Sequence, residues 1–226
     1  MTRFSKIASV SLVALLAGGV FTCPAKADSS NQNLQSVINQ LSVPLVKPIQ
    51  FPPLNADQLF DQDHGADIVA IEQVFAAYVF YNDSHDGADM ASLYLPNGVD
   101  DHGYNNGAGE ILPNSGTSGL GCVLTGQAQI AKYISDVYGP PVLPYPGHSH
   151  HVVTSKLVKV VGDDAMMQAV WYGVNNTTTT VSFSLGGVYL TTYKRTNDGW
   201  KIRTNHVIWD QPLTSTICDL YGPIPR

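Results

Sequence analysis

From His151 to Trp209 the sequence reads as four strands in succession, and no other feature limits the fold as much. Apolar and β-branched residues dominate His151–Val161, Ala165–Val174, Thr179–Arg195 and Trp200–Trp209. The breaks between them carry turn chemistry: Gly162-Asp163-Asp164, Asn175-Asn176 and Asn197-Asp198-Gly199. In the last strand Trp200, Ile202, His206 and Ile208 fall on one face, with Lys201, Arg203 and Asn205 on the other. Beyond Asp210 the tail is punctuated by Pro and Gly and reads as irregular.

Helical patterns precede these strands. Ile68, Ile71, Phe75 and Val79 recur at the spacing of one helix face, and the next positions on that row are Asp83 and Asp86. A carboxylate that continues a buried row must be paired, hydrated or in use, because an isolated buried charge is costly. The alternative is a helix that frays at Asn82 and leaves both acids in water. Gly87 breaks the chain, Ala88–Leu95 reads as a short second helix ending at Pro96, and Val99–His102 reads as a first strand. Gly103–Gly126 shows neither helical nor strand period, and a loop of that length is usually functional. A third helix is expected at Gln127–Tyr138, with Ile130, Tyr133, Ile134 and Val137 on one face and Gly139-Pro140-Pro141 as its stop. Helices followed by an antiparallel run of strands give an α+β domain with helices on one face of a curved sheet. A long helix across the concave side would enclose a pocket and bring Asp83 to its mouth or floor.

The ends of the chain carry other signals. Met1–Ala27 has the form of a secretory signal: basic Arg3 and Lys6, an apolar run Ile7–Phe21, and Ala25-Lys26-Ala27 at the cleavage spacing. That run is too short and too rich in Gly and Ser to span a bilayer, and Val20-Phe21-Thr22 matches poorly the small residues that lipid attachment at Cys23 requires. Removing Arg3, Lys6 and Lys26 from 12 basic residues leaves 9 against 18 acidic ones, a net charge near −9. Such a chain lacks the basic footprint for nucleic acid or anionic membrane. Cleavage after Ala27 also leaves two cysteines, Cys122 and Cys218, and an even count in an exported chain favours a disulfide over two free thiols. Residues 28–66 read as an arm. Pro44, Pro48, Pro52 and Pro53 forbid a long helix, a short one fits Leu34–Leu41, and Leu45, Val46, Ile49, Phe51 and Leu54 suit a segment that packs on its own domain or on a partner subunit. The domain itself is expected over 67–212, with a tail at 213–226.

Seven histidines supply the groups that titrate near neutral pH. His148 and His150, with His102 or Asp101, make one metal-binding combination; solvated histidines are the alternative, and no HExxH spacing is present. His151 opens a strand, where a carboxylate on a facing helix would form an acid–base pair with it; a histidine satisfied by backbone competes with that reading. His206 lies on an apolar face, as a pocket wall or a satisfied core residue. Tyr78, Tyr81, Trp171 and Tyr189 offer hydroxyls and aromatic walls, or simply core. No GxSxG elbow, phosphate-binding glycine loop or cysteine cluster is present.

Four pieces together resemble the SnoaL-like group of the nuclear transport factor 2-like superfamily, in particular its scytalone dehydratase-like branch. They are Tyr78-Val-Phe-Tyr-Asn-Asp83-Ser-His-Asp86, Ala88-Asp-Met-Ala-Ser-Leu-Tyr94, His151-Val-Val-Thr154-Ser155, and the closing strands Gly187–Ile202 with their Asp198-Gly199-Trp200 turn. The resemblance covers roughly residues 66–210. It implies a cone-shaped α+β barrel, commonly a homodimer, with a pocket between long helix and curved antiparallel sheet. It further implies proton transfer without cofactor or metal on a small, largely apolar cyclic or polyketide-like molecule. Asp83 matches the family's helix aspartate and His151 its strand-start histidine, with Tyr78, Trp171, Tyr189 and His206 shaping the pocket. The second family histidine has no counterpart in Met166-Met167-Gln168-Ala169-Val170. That departure leaves a ligand-binding protein without turnover as the competing expectation.

Overall fold

The structure, a computed structural model, describes residues 27–50, 63–113, 123–142, 149–176 and 179–210, with side chains from residue 33 onward. Residues 1–26, Cys122 and Cys218 lie outside the described residues. In chain order the elements are α1 (Ala27–Leu41), β1 (Ile49–Gln50), α2 (Gly65–Asp83), α3 (Gly87–Ser92), β2 (Tyr94–Asn105), β3 (Glu110–Leu112), β4 (Val123–Thr125), α4 (Gln127–Tyr138), β5 (His150–Val161), β6 (Asp164–Asn176), β7 (Val181–Thr196) and β8 (Gly199–Trp209). The order across the sheet is β1-β3-β2-β8-β7-β6-β5, and β4 pairs separately with β2.

The four closing strands pair as consecutive antiparallel neighbours, with Val160 opposite Ala165, Val170 opposite Val188 and Tyr189 opposite Val207. Their curved sheet does not close on itself. Helix α2 packs against it through Ile71, Phe75 and Tyr78, all buried, while Ile68 and Val79 are only half-buried at the edge of that face. Helix α4 adds Ile130, Tyr133 and Ile134, and α3 adds Met90 and Ala91. The crossing of α3 and α4 depends on Gly87, where a Cβ would lie 2.4 Å from the Ala131 carbonyl oxygen. Each buried aliphatic or aromatic side chain here is worth about 1.5–3 kcal/mol.

A second cluster lies on the other face of the sheet. Leu34, Ile38 and Leu41 of α1, with Leu45 and Ile49 behind them, pack on Ile111, Met166, Leu190 and Ile208. The arm therefore covers its own sheet, and α1 is longer than the Leu34–Leu41 expected.

Two expectations are corrected. Helix α3 stops at Ser92 rather than Leu95, because the chain enters the sheet at Tyr94, opposite Ile202. Pro96 then sits in the irregular stretch between paired Tyr94 and Val99, where its missing N–H breaks no ladder bond. Gly103–Gly126 is not structureless: β2 continues to Asn105, turns through Asn106 into β3, and β4 pairs Leu124 with Asp100. Strand period is hidden in the sequence because Val99–Gly103 is buried on both faces, so polar and apolar residues do not alternate. Beside the antiparallel closing strands, β2 and β8 run parallel, with Asp100 opposite Asn205 and Asp101 opposite His206.

The last strand also changes face partway along. Tyr193 pairs with Ile202 but Thr192 pairs with Thr204, which leaves Arg203 as an extra residue. A bulge of one residue moves everything beyond it to the opposite side, since the side-chain period is two. Trp200 and Ile202 therefore share the inner core with Val207, whereas Ile208 joins the outer cluster. Simple alternation, which places Ile202, His206 and Ile208 together, fails here for that reason.

Candidate active site

Asp83 is the last residue of α2, where a carboxylate gains nothing from the helix dipole and needs another partner. That partner is the start of β5. The His151 ring donates from Nδ1 to Asp83 Oδ1 at 2.6 Å, and the His151 backbone N–H lies 3.1 Å from Oδ2 and 3.2 Å from Oδ1. The carboxylate so fixes both the position and the tautomer of the imidazole. Nε2 is left with the lone pair and without a partner among the described residues. The side chains of His151 and Asp83 are 22% and 10% exposed, enough shelter to strengthen the pair and enough access for a ligand. Asp86 plays a different part and caps α3 by accepting the Asp89 backbone N–H at 3.0 Å.

His151 borders a cavity between α2, α4 and the sheet. Tyr78, Tyr133, Tyr138, Trp171, Tyr189 and Trp209 form aromatic walls, and Asn82, Asp100 and His102 add polar groups. The enclosed space is about 20 Å³, close to the room one water needs. Ring contacts run continuously around it: His151 to Trp171 at 5.4 Å, Trp171 to Trp209 at 4.8 Å edge-on, and Trp171 to Tyr189 at 5.6 Å. Trp171 fits here because residue 187 is glycine; a Cβ would stand 3.0 Å from its Nε1 and 2.0 Å from the Ile208 carbonyl oxygen. The indole N–H groups of Trp171 and Trp209 are buried and find no acceptor among the described residues. A buried donor left unpaired costs about 1–3 kcal/mol, and both of these indoles line the cavity.

Burial pushes the phenols of Tyr78 and Tyr189 well above their usual range, and the Asp100 charge adds to the effect. Both therefore remain neutral hydroxyls across physiological pH. Tyr94 behaves likewise, through burial first and then through the charge of Asp100 and its bond to that carboxylate.

Tyr78, Trp171 and Tyr189 thus meet around His151. His206 does not. The Arg203 bulge turns it to the outer face, wholly buried, where its Nδ1 meets Asp101 Oδ2 at 3.0 Å and its Nε2 the Leu41 carbonyl oxygen at 2.7 Å. The pocket groups that sequence reasoning misses include Asp100, His102, Tyr138 and Trp209. From the sequence His102 suggests only a metal ligand, and the Gly- and Asn-rich surroundings of β2 conceal its place in a long strand beside the pocket. Among the described residues, no three His, Cys, Asp or Glu side chains gather as metal ligands. No helix among them is long and apolar enough to cross a membrane.

A helix laid across a curved, open sheet, with a pocket between the two, is a cystatin-like class of α+β fold. Within it, the chain belongs to the SnoaL-like domain family, whose model matches residues 63–206. The chain is similar in fold to a protein from Novosphingobium aromaticivorans described as the β subunit of an aromatic-ring-hydroxylating dioxygenase, with TM-score 0.52, 15% identity, and coverage of 70% of this chain and 97% of that one. A protein of unknown function from Mycobacterium tuberculosis gives TM-score 0.50 at 17% identity, covering 66% and 74%. One with a cystatin-like fold from Nostoc punctiforme gives 0.50 at 13%, covering 66% and 95%. At these identities the likeness is one of fold alone. A comparison with curated proteins found no match.

Proposed function

We propose that this chain is a cofactor-independent enzyme of the dehydratase, isomerase or cyclase type, acting on a small, largely apolar cyclic or polyketide-like molecule. The observation that carries the reading is the 2.6 Å contact of Asp83 with His151 Nδ1 at the wall of an aromatic cavity. Nε2 of His151 takes a proton from carbon, and Asp83 holds the ring and offsets the positive charge that develops on it. The indole N–H groups of Trp171 and Trp209 bind the oxygen on which negative charge appears. Aromatic walls suit flat apolar rings, and a ring substrate enters a space of about 20 Å³ only if those side chains move apart to admit it. Export after cleavage at Ala27, with Cys122 and Cys218 bridged, is part of the same proposal; thiol labelling of the native exported protein should then find no free cysteine.

A second reading, a binding protein without turnover, draws support from Ala169. It is buried in the core on the stretch Met166–Val170, where the resemblance expects a second histidine and the sequence has none. One experiment separates the two. The compound that co-purifies with the exported protein is identified by mass spectrometry and incubated with wild type and with Asp83→Asn. Turnover by the wild type and its loss in the variant support the enzyme. Equal turnover by both removes Asp83 from the mechanism, and binding without turnover by either favours the binding protein.

A further inference from the structure

We infer that Tyr138, latched by a stack on His85, is the door through which a flat apolar ring enters the cavity, and so sets the size of ring admitted. The inference rests on the reading of the cavity as a ligand site and holds whether the ring is turned over or only bound.

The space inside the cavity is about 20 Å³, whereas a benzene-sized guest occupies a void of roughly 150 Å³. A wall must move to admit it, and most of the walls have no room to do so. Tyr78, Trp171 and Tyr189 are 1–2% exposed and Tyr133 8%, with the inner core packed behind them. Trp209 is half-buried, but it lies edge-on against Trp171 at 4.8 Å and its backbone is paired between Tyr104 and Gly187. Tyr138 lines the same space and is 43% exposed, so it reaches from the cavity to solvent.

The position of Tyr138 leaves it free to turn. It is the last residue of α4, Gly139 follows at φ 86°, and no described atom lies within 4 Å of the place where that glycine would carry a Cβ. The Tyr138 hydroxyl makes no hydrogen bond among the described residues. What holds the ring is His85, stacked on it with centroids 5.2 Å apart and planes 23° apart. His85 is itself held in an uncommon way. Its φ is 58°, in the left-handed region where a non-glycine residue is strained and persists only if its surroundings dictate it. Both flanks do so here. The His85 N–H donates to the Asn82 carbonyl at the end of α2, and the His85 carbonyl accepts the Gly87 N–H at the start of α3. The imidazole is thereby aimed at Tyr138, while its Nδ1 is buried without a partner. The strained backbone gains no hydrogen bond at Nδ1; it gains the stack. Swinging Tyr138 outward breaks one ring contact and no hydrogen bond, so the door opens at small cost.

The test follows nitrobenzene, a flat apolar ring that quenches indole fluorescence, as it enters the full chain in stopped flow. Trp171 and Trp209 report its arrival as a saturable phase. A door and a wall differ in kinetics: removing a door raises association and dissociation rates together, whereas removing a wall contact raises dissociation alone. Tyr138→Ala should raise both rates about tenfold or more, with Kd within about threefold of wild type. Tyr138→Phe keeps the stack and should match wild type. His85→Gly removes the latch with a residue that suits φ 58°, so both rates should rise about three- to tenfold with no fall in melting temperature. The wider 1-nitronaphthalene should gain more from Tyr138→Ala than nitrobenzene does. Wild-type rates in Tyr138→Ala, or a rise in dissociation alone, overturn the inference and leave the cavity a ligand site. Wild-type rates in His85→Gly overturn the latch, and equal gains for the two rings overturn the selection by size. No saturable quenching in either wild type or Tyr138→Ala overturns the reading of the cavity as a ligand site, and this inference with it.

Discussion

Strands β2 and β8 lie side by side and carry an aspartate–histidine pair on each of their faces. Asp100 holds His102 on the inner face, and Asp101, the next residue, holds His206 on the outer one. The chemical groups are the same, yet the two pairs differ in what they leave free. His206 gives both ring nitrogens away, one to Asp101 and one to the Leu41 carbonyl at the end of α1, and Asp101 also accepts the Leu45 backbone N–H at 2.8 Å. That set clamps the arm to the sheet and supplies a donor to a helix-end carbonyl that lacks one. His151 and His102 each give away one nitrogen and keep the other. An Asp–His pair can transfer a proton only when a ring nitrogen remains free, and is a fastening when none does. Burial alone would rank them in reverse, since the outer pair is the more deeply buried.

If that distinction holds, inner variants should lose turnover without stability, and outer variants stability without turnover. The largest effect is expected for His151→Gln: a fall in kcat of about 10²–10⁴-fold with little change in melting temperature, measured on the co-purified ligand. Next is Asp101→Ala, which leaves His206 buried without its carboxylate. It should cost about 3–5 kcal/mol in denaturant unfolding while the surviving folded protein keeps its kcat. Preserved stability there would mean that the outer pair is no fastening. Ile38→Ala removes an arm side chain with no exposure at all and should cost about 2–4 kcal/mol, again at constant kcat.

The smallest effect is a matter of pH. Burial raises the phenols of Tyr78, Tyr94, Tyr189 and Tyr193 in the folded chain. Unfolded tyrosines ionise near pH 10, so above it the unfolded chain has released protons that the folded chain keeps. Stability contributed by these groups is present below about pH 10 and falls as pH rises past it. Phenolate absorbance should therefore count fewer than the 11 tyrosines at about pH 11 until the chain unfolds. Full ionisation with native circular dichroism intact would mean that the inner face is wet.

Much of this architecture is legible in the sequence, and the parts that are not share a cause. The closing strands can be read because each is long and ends in turn residues, and helix Gln127–Tyr138 because its apolar row is complete. Asp83 and His151, far apart in the chain, can be brought together by the order of their motifs. Asp100 and His102 cannot, because β2 owes its place to a parallel pairing with β8, which follows it only after six intervening elements. Its polar Asp-Asp-His run and its Gly and Pro give no strand pattern. The face of His206 is hidden for a more local reason: one extra residue at Arg203 leaves composition unchanged and reverses orientation.

That extra residue makes the length of β8 matter in a way its composition does not. Replacing Arg203 removes its contacts with Asp164 and Ser42 on the outer side. Deleting it would instead carry His206 toward the cavity and Val207 away from it, exchanging a fastening for a ring in the pocket and leaving Asp101 without its partner. Along this strand the chain can drift by substitution but is closed to insertion and deletion. A relative whose β8 differs by one residue in this stretch would need its arm and its pocket rebuilt together.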